Sequence, residues 1–236
     1  MIYDPLYWMI LGVGMVLSLW ASAKVKGTFA RYQKVNTRRG MSGAEVAQRI
    51  LRDNGIYDVQ VQPVRGNLTD HYDPRNKTLR LSEPVYGGRS LAAFGVAAHE
   101  VGHAIQHAQA YAPLKFRSAW VPVASFGSGL SMLIIIAAFI LMSIGSAIGT
   151  PVAWVGVALF ATTTIFTLIT LPVEFDASRR ALVALESGGY LTPDELGGAR
   201  KVLNAAGMTY VAAFVSSLLT LLYWAYALGL FGGRNE

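Results

Sequence analysis

"PLYWMILGVGMVLSLWASAKVKGTFARYQKVNTRRG", residues 5–40, is apolar through residue 23 and basic thereafter. The apolar part is long enough to cross a bilayer, which takes roughly 20 residues. Tyr3, Tyr7 and Trp8 lie near one end and Trp20 near the other, where interfacial aromatics belong. "ASA" at 21–23 has the small-residue form of a signal-peptidase site. The residues before the run carry Asp4 and neither Lys nor Arg, however, so the positive segment of a signal peptide is missing and an uncleaved anchor is expected. Lys24, Lys26, Arg31, Lys34, Arg38 and Arg39 follow with no acid among them. The positive-inside rule puts that end in the cytoplasm and the N-terminus outside.

Three more apolar runs follow, at about 119–145, 151–171 and 210–230. They explain why only 14% of residues are charged, against about 25% in soluble domains. The link "GSAIGTP" between the second and third runs is short and uncharged, so they form a helical hairpin, rich in the small residues that let membrane helices pack closely. The net charge of +6 raises the question of nucleic acid. Its clustering beside an apolar run points instead to lipid headgroups, and no nucleic-acid partner is expected. There is no cysteine, which excludes disulfides, thiolate metal ligands and a cysteine nucleophile.

The expected organisation is a mainly α membrane protein with four transmembrane helices. Residues 1–23 hold the first span, 24–118 a cytoplasmic α+β region with a small β-hairpin, and 119–171 the hairpin of spans. Residues 172–209 form a second cytoplasmic, helical segment, and 210–236 the last span and tail. Both charged regions then fall on the cytoplasmic side of the cell membrane, with both termini outside.

Within 41–112, "SGAE" at 42–45 is a capping box that opens a helix running to Asp53 and stopping at Gly55. Val59 and Val61 alternate as in a strand. "NLTDHYDPRNKTLRLS" reads as a β-hairpin around "DPRN", and "SEPVYGG" as a turn. Ser90 caps a helix over about 91–110, which Pro113 closes. "TPDE" at 192–195 is a second capping box, with Pro193 at the first helical position.

The 91–110 helix carries "AAHEVGHAIQHA", residues 97–108. His99 and His103 are four apart, on one helical face, so their imidazoles can converge on one ion. Glu100 projects about 100° round the helix, free to act as general base on a water made acidic by zinc. This is the H-E-x-x-H pattern. His107 continues the spacing, but lies about 12 Å from His99 along a continuous helix and cannot share the same ion. It is expected near the site or at the surface.

A catalytic zinc keeps three protein ligands and one open position. The best source of the third is "LPVEFDASRRALVAL", 171–185, directly after the third span. Glu174 and Asp176 are about 200° apart on a helix, so only one faces the metal. Helix geometry alone leaves both Glu174 and Asp176 as candidates for that ligand. Ser178 shares the face of Glu174 and can hydrogen-bond to a ligand.

"HEVGHAIQHA", "EFDASRRAL" and "LTDHYDPRNKTLRLS" together resemble the YugP-like family of membrane neutral zinc metallopeptidases, over most of the chain. More distantly the chain resembles membrane gluzincins of the HtpX and CAAX-protease type, which carry a glutamate ligand in E-x-x-A-D on a second helix. The resemblance implies zinc, one ion per chain, held by His99, His103 and Glu174, with Glu100 as base. Ala177 matches that pattern, whereas Ser178 stands where the aspartate would be.

Proteases of this kind bind substrate as an added strand. "TLRLS" at 78–82 is the expected edge; His71 or Tyr72 could point at the site and stabilise the oxyanion, while the plainer expectation is a hairpin that packs on the helix with His71 at its surface. Phe94, Val96 and Ile105 are expected in the core or the wall of the site. The expected activity is a membrane zinc endopeptidase acting on peptides or membrane proteins at the bilayer surface, with room for an oligomer or an accessory membrane partner. The rival is a membrane scaffold or quality-control adaptor with a structural zinc, which Glu100→Gln would leave untouched.

Overall fold

The computed structural model describes residues 4–229. Tyr3 and the tail after residue 229 lie outside the described residues. The chain divides into an apolar unit (residues 1–20, 116–171 and 210–236) and a polar unit (residues 21–115 and 172–209).

Four helices are long and apolar enough to cross a membrane: α1 (Pro5–Tyr32), α5 (Ala112–Ser143), α6 (Gly149–Ser187) and α7 (Pro193–Ala227). Each expected span is part of a longer helix. Pro172 lies inside α6 without ending it. In the apolar unit, α5 and α6 approach through small residues: a Cβ on Gly127 would meet Thr162 Oγ1 at 2.1 Å and Leu159 O at 2.6 Å. Ile135, Ala138, Ala153 and Trp224 bury their side chains completely there. Trp120 Nε1 donates to the Thr162 carbonyl at 2.9 Å, and Tyr223 Oη donates to Asp4 at 2.9 Å. Both bonds satisfy groups for which lipid offers no partner.

The polar unit begins with α2 (Gly43–Asp53). Its capping box is formed, with Ser42 Oγ accepting from Glu45 N at 3.3 Å and Glu45 Oε2 accepting from Ser42 N at 2.7 Å. Val46, Ala47, Ile50 and Leu51 make its buried face. Gly55 ends the turn after it with φ +71°, a conformation that costs glycine nothing.

Three short strands follow: β1 (Gln60–Val64), β2 (His71–Asp73) and β3 (Thr78–Ser82). The hairpin around "DPRN" is present, pairing His71 with Arg80 and Asp73 with Thr78. The sheet order is β1-β3-β2, with β1 parallel to β3. This corrects the expected edge. "TLRLS" is the central strand, its backbone engaged on both sides and Leu79 and Leu81 fully buried. A short helix, α3 (Glu83–Tyr86), replaces the turn expected at "SEPVYGG".

Next comes α4 (Leu91–Ala108), capped as expected by Ser90 Oγ, which accepts from Ala93 N at 3.2 Å. It ends in a turn where Ala110 takes φ +53°. Pro113 therefore does not close α4; it occupies the first turn of α5, where its missing N–H leaves no helical bond unmade. The second capping box opens α7, with Thr192 N donating to Glu195 Oε2 at 2.9 Å. The other carboxylate oxygen of Glu195 accepts from Arg38 N at 2.8 Å. The core of this unit gathers Val46, Leu79, Leu81, Val85, Phe94, Val101, Ala181 and Leu185 around α4. Phe94 and Ile105 are buried in that core, and Val96 packs against it.

Candidate metal centre

α4 is largely buried and crosses α6 at very close range. A Cβ on Gly102 would lie 2.4 Å from the Ala177 carbonyl oxygen and 3.1 Å from its Cα. Glycine between the two histidines is thus what lets the backbones approach. The approach brings α6 side chains from Val173 to Arg180 against the histidine face of α4.

Three ligand-type atoms converge there. His99 Nε2 lies 3.2 Å from Glu174 Oε2, and His103 Nε2 lies 3.5 Å from the same oxygen. All three lie within 4.8 Å of one another, a group that could hold a metal ion. The imidazole rings stand edge to face, with centroids 4.8 Å apart. Glu174 is 3% exposed and His103 9%, so these polar groups have little water to solvate them. The donor set fits zinc: two neutral imidazole nitrogens and a carboxylate are a known catalytic combination.

Glu100 adjoins His99 on α4 and is 8% exposed. Burial pushes its carboxyl above the usual carboxylate range, against the opposing pull of His99 and His103. A carboxylate whose proton affinity is raised in this way is suited to taking a proton near neutral pH.

The remaining predicted residues divide. Ser178 Oγ lies 3.1 Å from His99 Nδ1. Asp176 is not one of the three converging groups; it is bonded to Arg179, Arg180 and Gln106. His107 is bonded through Nδ1 to Tyr72 Oη at 2.8 Å. Burial, with the nearby Asp58 and Asp73, pushes the Tyr72 phenol up to about 12. His71 is exposed on β2, with Nδ1 2.8 Å from the Thr69 carbonyl and Nε2 3.4 Å from Arg80 Nη1. Nothing in that placement brings His71 to the cluster.

One participant escaped the sequence reading. Gln106 is fully buried and lies 3.0 Å from His103 Nδ1. The available signal was an uncharged amide in an apolar helix, three residues after a histidine and so on its face.

Residues 7–229 match the family described as "Putative neutral zinc metallopeptidase". A relative from Bacillus subtilis (strain 168), named "Putative membrane protease YugP", is 49% identical over 220 residues, covering 93% of this chain and 94% of the relative. No solved structure matches. With its four apolar helices, the chain is a multi-pass membrane protein.

Proposed function

We propose, from the premise that this chain belongs to the family described as "Putative neutral zinc metallopeptidase", that it is an integral membrane endopeptidase using one zinc ion. The observation that carries the reading is the convergence of His99 Nε2, His103 Nε2 and Glu174 Oε2, with Glu100 on the turn that bears the histidines. These three residues would hold the ion, which when bound supplies Lewis acidity toward a water and a scissile carbonyl.

The chain's own groups do the rest. Glu100 accepts the proton from the attacking water and passes it to the leaving amine nitrogen, so one carboxylate serves both halves of the reaction. Burial, which raises its proton affinity, suits it to the second transfer as well as the first. Ser178 and Gln106 hold the outer ring nitrogens of His99 and His103. Because β3 is central, a substrate added as a strand would use β2, the edge beside α4 that carries Tyr72.

The reading places the site in the cytoplasm and both termini outside the cell membrane, on the strength of the basic stretch after the first span. Glu174 follows the third apolar run closely in sequence. Substrates would therefore be peptides, or membrane proteins cut near the bilayer. The test is Glu100→Gln in detergent-purified protein, assayed for zinc content, melting and cleavage of an unfolded polypeptide. The expected result is retained zinc and fold with cleavage lost by at least about 100-fold. Unchanged cleavage, or wild-type protein that binds no zinc, would refute it.

A further inference from the structure

We propose that Gln106 is a positioning residue that selects the metal-facing nitrogen of His103, and that Asp176 acts by fixing the polarity of Gln106 rather than by binding the metal. The inference rests on the reading of His99, His103 and Glu174 as the zinc centre.

The argument is one of donors and acceptors. Gln106 Nε2 lies 2.8 Å from the Val173 carbonyl oxygen and 2.9 Å from Asp176 Oδ2. Both partners only accept, so the NH₂ end of the amide must face them. The flipped amide would set its oxygen against a carbonyl and a carboxylate. With both N–H groups committed, Oε1 is the atom left to face His103 Nδ1 at 3.0 Å. An acceptor there requires Nδ1 to carry the ring proton. Nε2 then offers a lone pair, and Nε2 is the atom turned toward Glu174. The order of bonds runs one way, from His103 Nδ1–H to Gln106, and from Gln106 N–H to Asp176.

Asp176 is braced in its acceptor role. Arg179 and Arg180 both bond to it, which keeps it ionised. Arg180 is tied in turn, donating from Nη1 to Gln109 Oε1 at 2.5 Å and lying over the Tyr111 ring at 5.4 Å. On His99 Nδ1 the partner is instead the Ser178 hydroxyl, which can donate or accept. The two histidines thus differ at Nδ1: His103 faces an acceptor there, and His99 faces a hydroxyl that can take either role.

The experiment uses the full chain in detergent at pH 8. Zinc affinity is measured by chelator competition, the tautomer of His103 by ¹⁵N chemical shifts of the metal-free protein, and folding by thermal melting. Gln106→Leu is expected to weaken zinc binding about 10–100-fold, the usual cost of removing a partner from a ligating histidine. Gln106→Glu should do the same, because it sets a carboxylate against Asp176. Adding Asp176→Asn to Gln106→Glu removes the clash between carboxylates and keeps an acceptor on Nδ1, while the Val173 carbonyl still lacks its donor, so zinc affinity should recover in part and the Nδ1–H tautomer should return. Near-wild-type affinity in both single variants would overturn the proposal, as would no rescue in a double variant that melts normally. Wild-type protein without zinc affinity would overturn the zinc centre itself, which separates the two failures.

Discussion

Gly102→Ala tests the contact on which the site geometry depends. The added Cβ would start 2.4 Å from the Ala177 oxygen and 3.0 Å from its carbon, both backbone atoms that no rotamer change can move. Ordinary separation for such atoms is about 3.5 Å, so α4 and α6 must part by about 1 Å. Overpacking of this kind costs about 1–3 kcal/mol. Alanine returns about 1 kcal/mol of helix propensity, leaving a net loss of about 0–2 kcal/mol. The larger effect falls on geometry, because Glu174 and Ala177 belong to one turn of α6 and move together. A displacement of about 1 Å at a reacting constellation can cost about 100-fold in rate, and zinc affinity should fall with it. The assay is chelator competition and thermal melting of the purified variant beside Gly27→Ala. Gly27 is also helical, but a Cβ there meets nothing within 4 Å. Gly27→Ala should hold or raise the melting temperature and leave zinc affinity unchanged. Wild-type zinc affinity and melting in Gly102→Ala would refute the close approach as the basis of the site.

Other perturbations give separable outcomes. Zinc at about 100 times its dissociation constant should stabilise the protein by about 2.7 kcal/mol, seen as a melting temperature that falls on chelation; Glu174→Ala should abolish the difference. Ser42→Ala removes the α2 cap and should cost about 1 kcal/mol without changing zinc content. Leu81→Ala opens a cavity in the central strand, where the side chain is fully buried, and should cost about 2–5 kcal/mol in denaturant unfolding. Burial, and then the bond to Asp53, push the Tyr190 phenol up to about 12 from an ordinary value of 10. A folded-state pKa above the unfolded one means stability fully present below pH 10 and lost between pH 10 and 12. Alkaline melting curves should show that loss in wild type and a smaller one in Tyr190→Phe.

What could be read in advance was what is local. The capping boxes at Ser42 and Thr192 and the cap at Ser90 are set by side chains reaching three residues along the chain, and all three formed. The four apolar runs announced long helices because their length in lipid leaves the backbone little other choice. Strand order was not legible. "TLRLS" alternates as well for an edge as for a centre, and only the long return from β1 makes it central. The role of Pro113 is ambiguous in sequence because a proline ends one helix and begins another with equal ease. At the site, the histidine pair was contiguous and visible. The engagement of Asp176 by arginines and an amide was not, since Gln106 lies 70 residues from it in sequence.

The spacing between the histidines and Glu174 also has a meaning in time. His99 and Glu174 are 75 residues apart, and a ribosome adds about 5–20 residues per second. For roughly 4–15 s, then, each growing chain carries the histidine pair without its carboxylate partner, while α5 and most of α6 are still being made. The three-group cluster cannot exist before that hairpin has been synthesised. The order of the gene thus delays assembly of the site until most of the membrane-spanning sequence has been synthesised, a built-in interval during which the newborn chain lacks the full cluster.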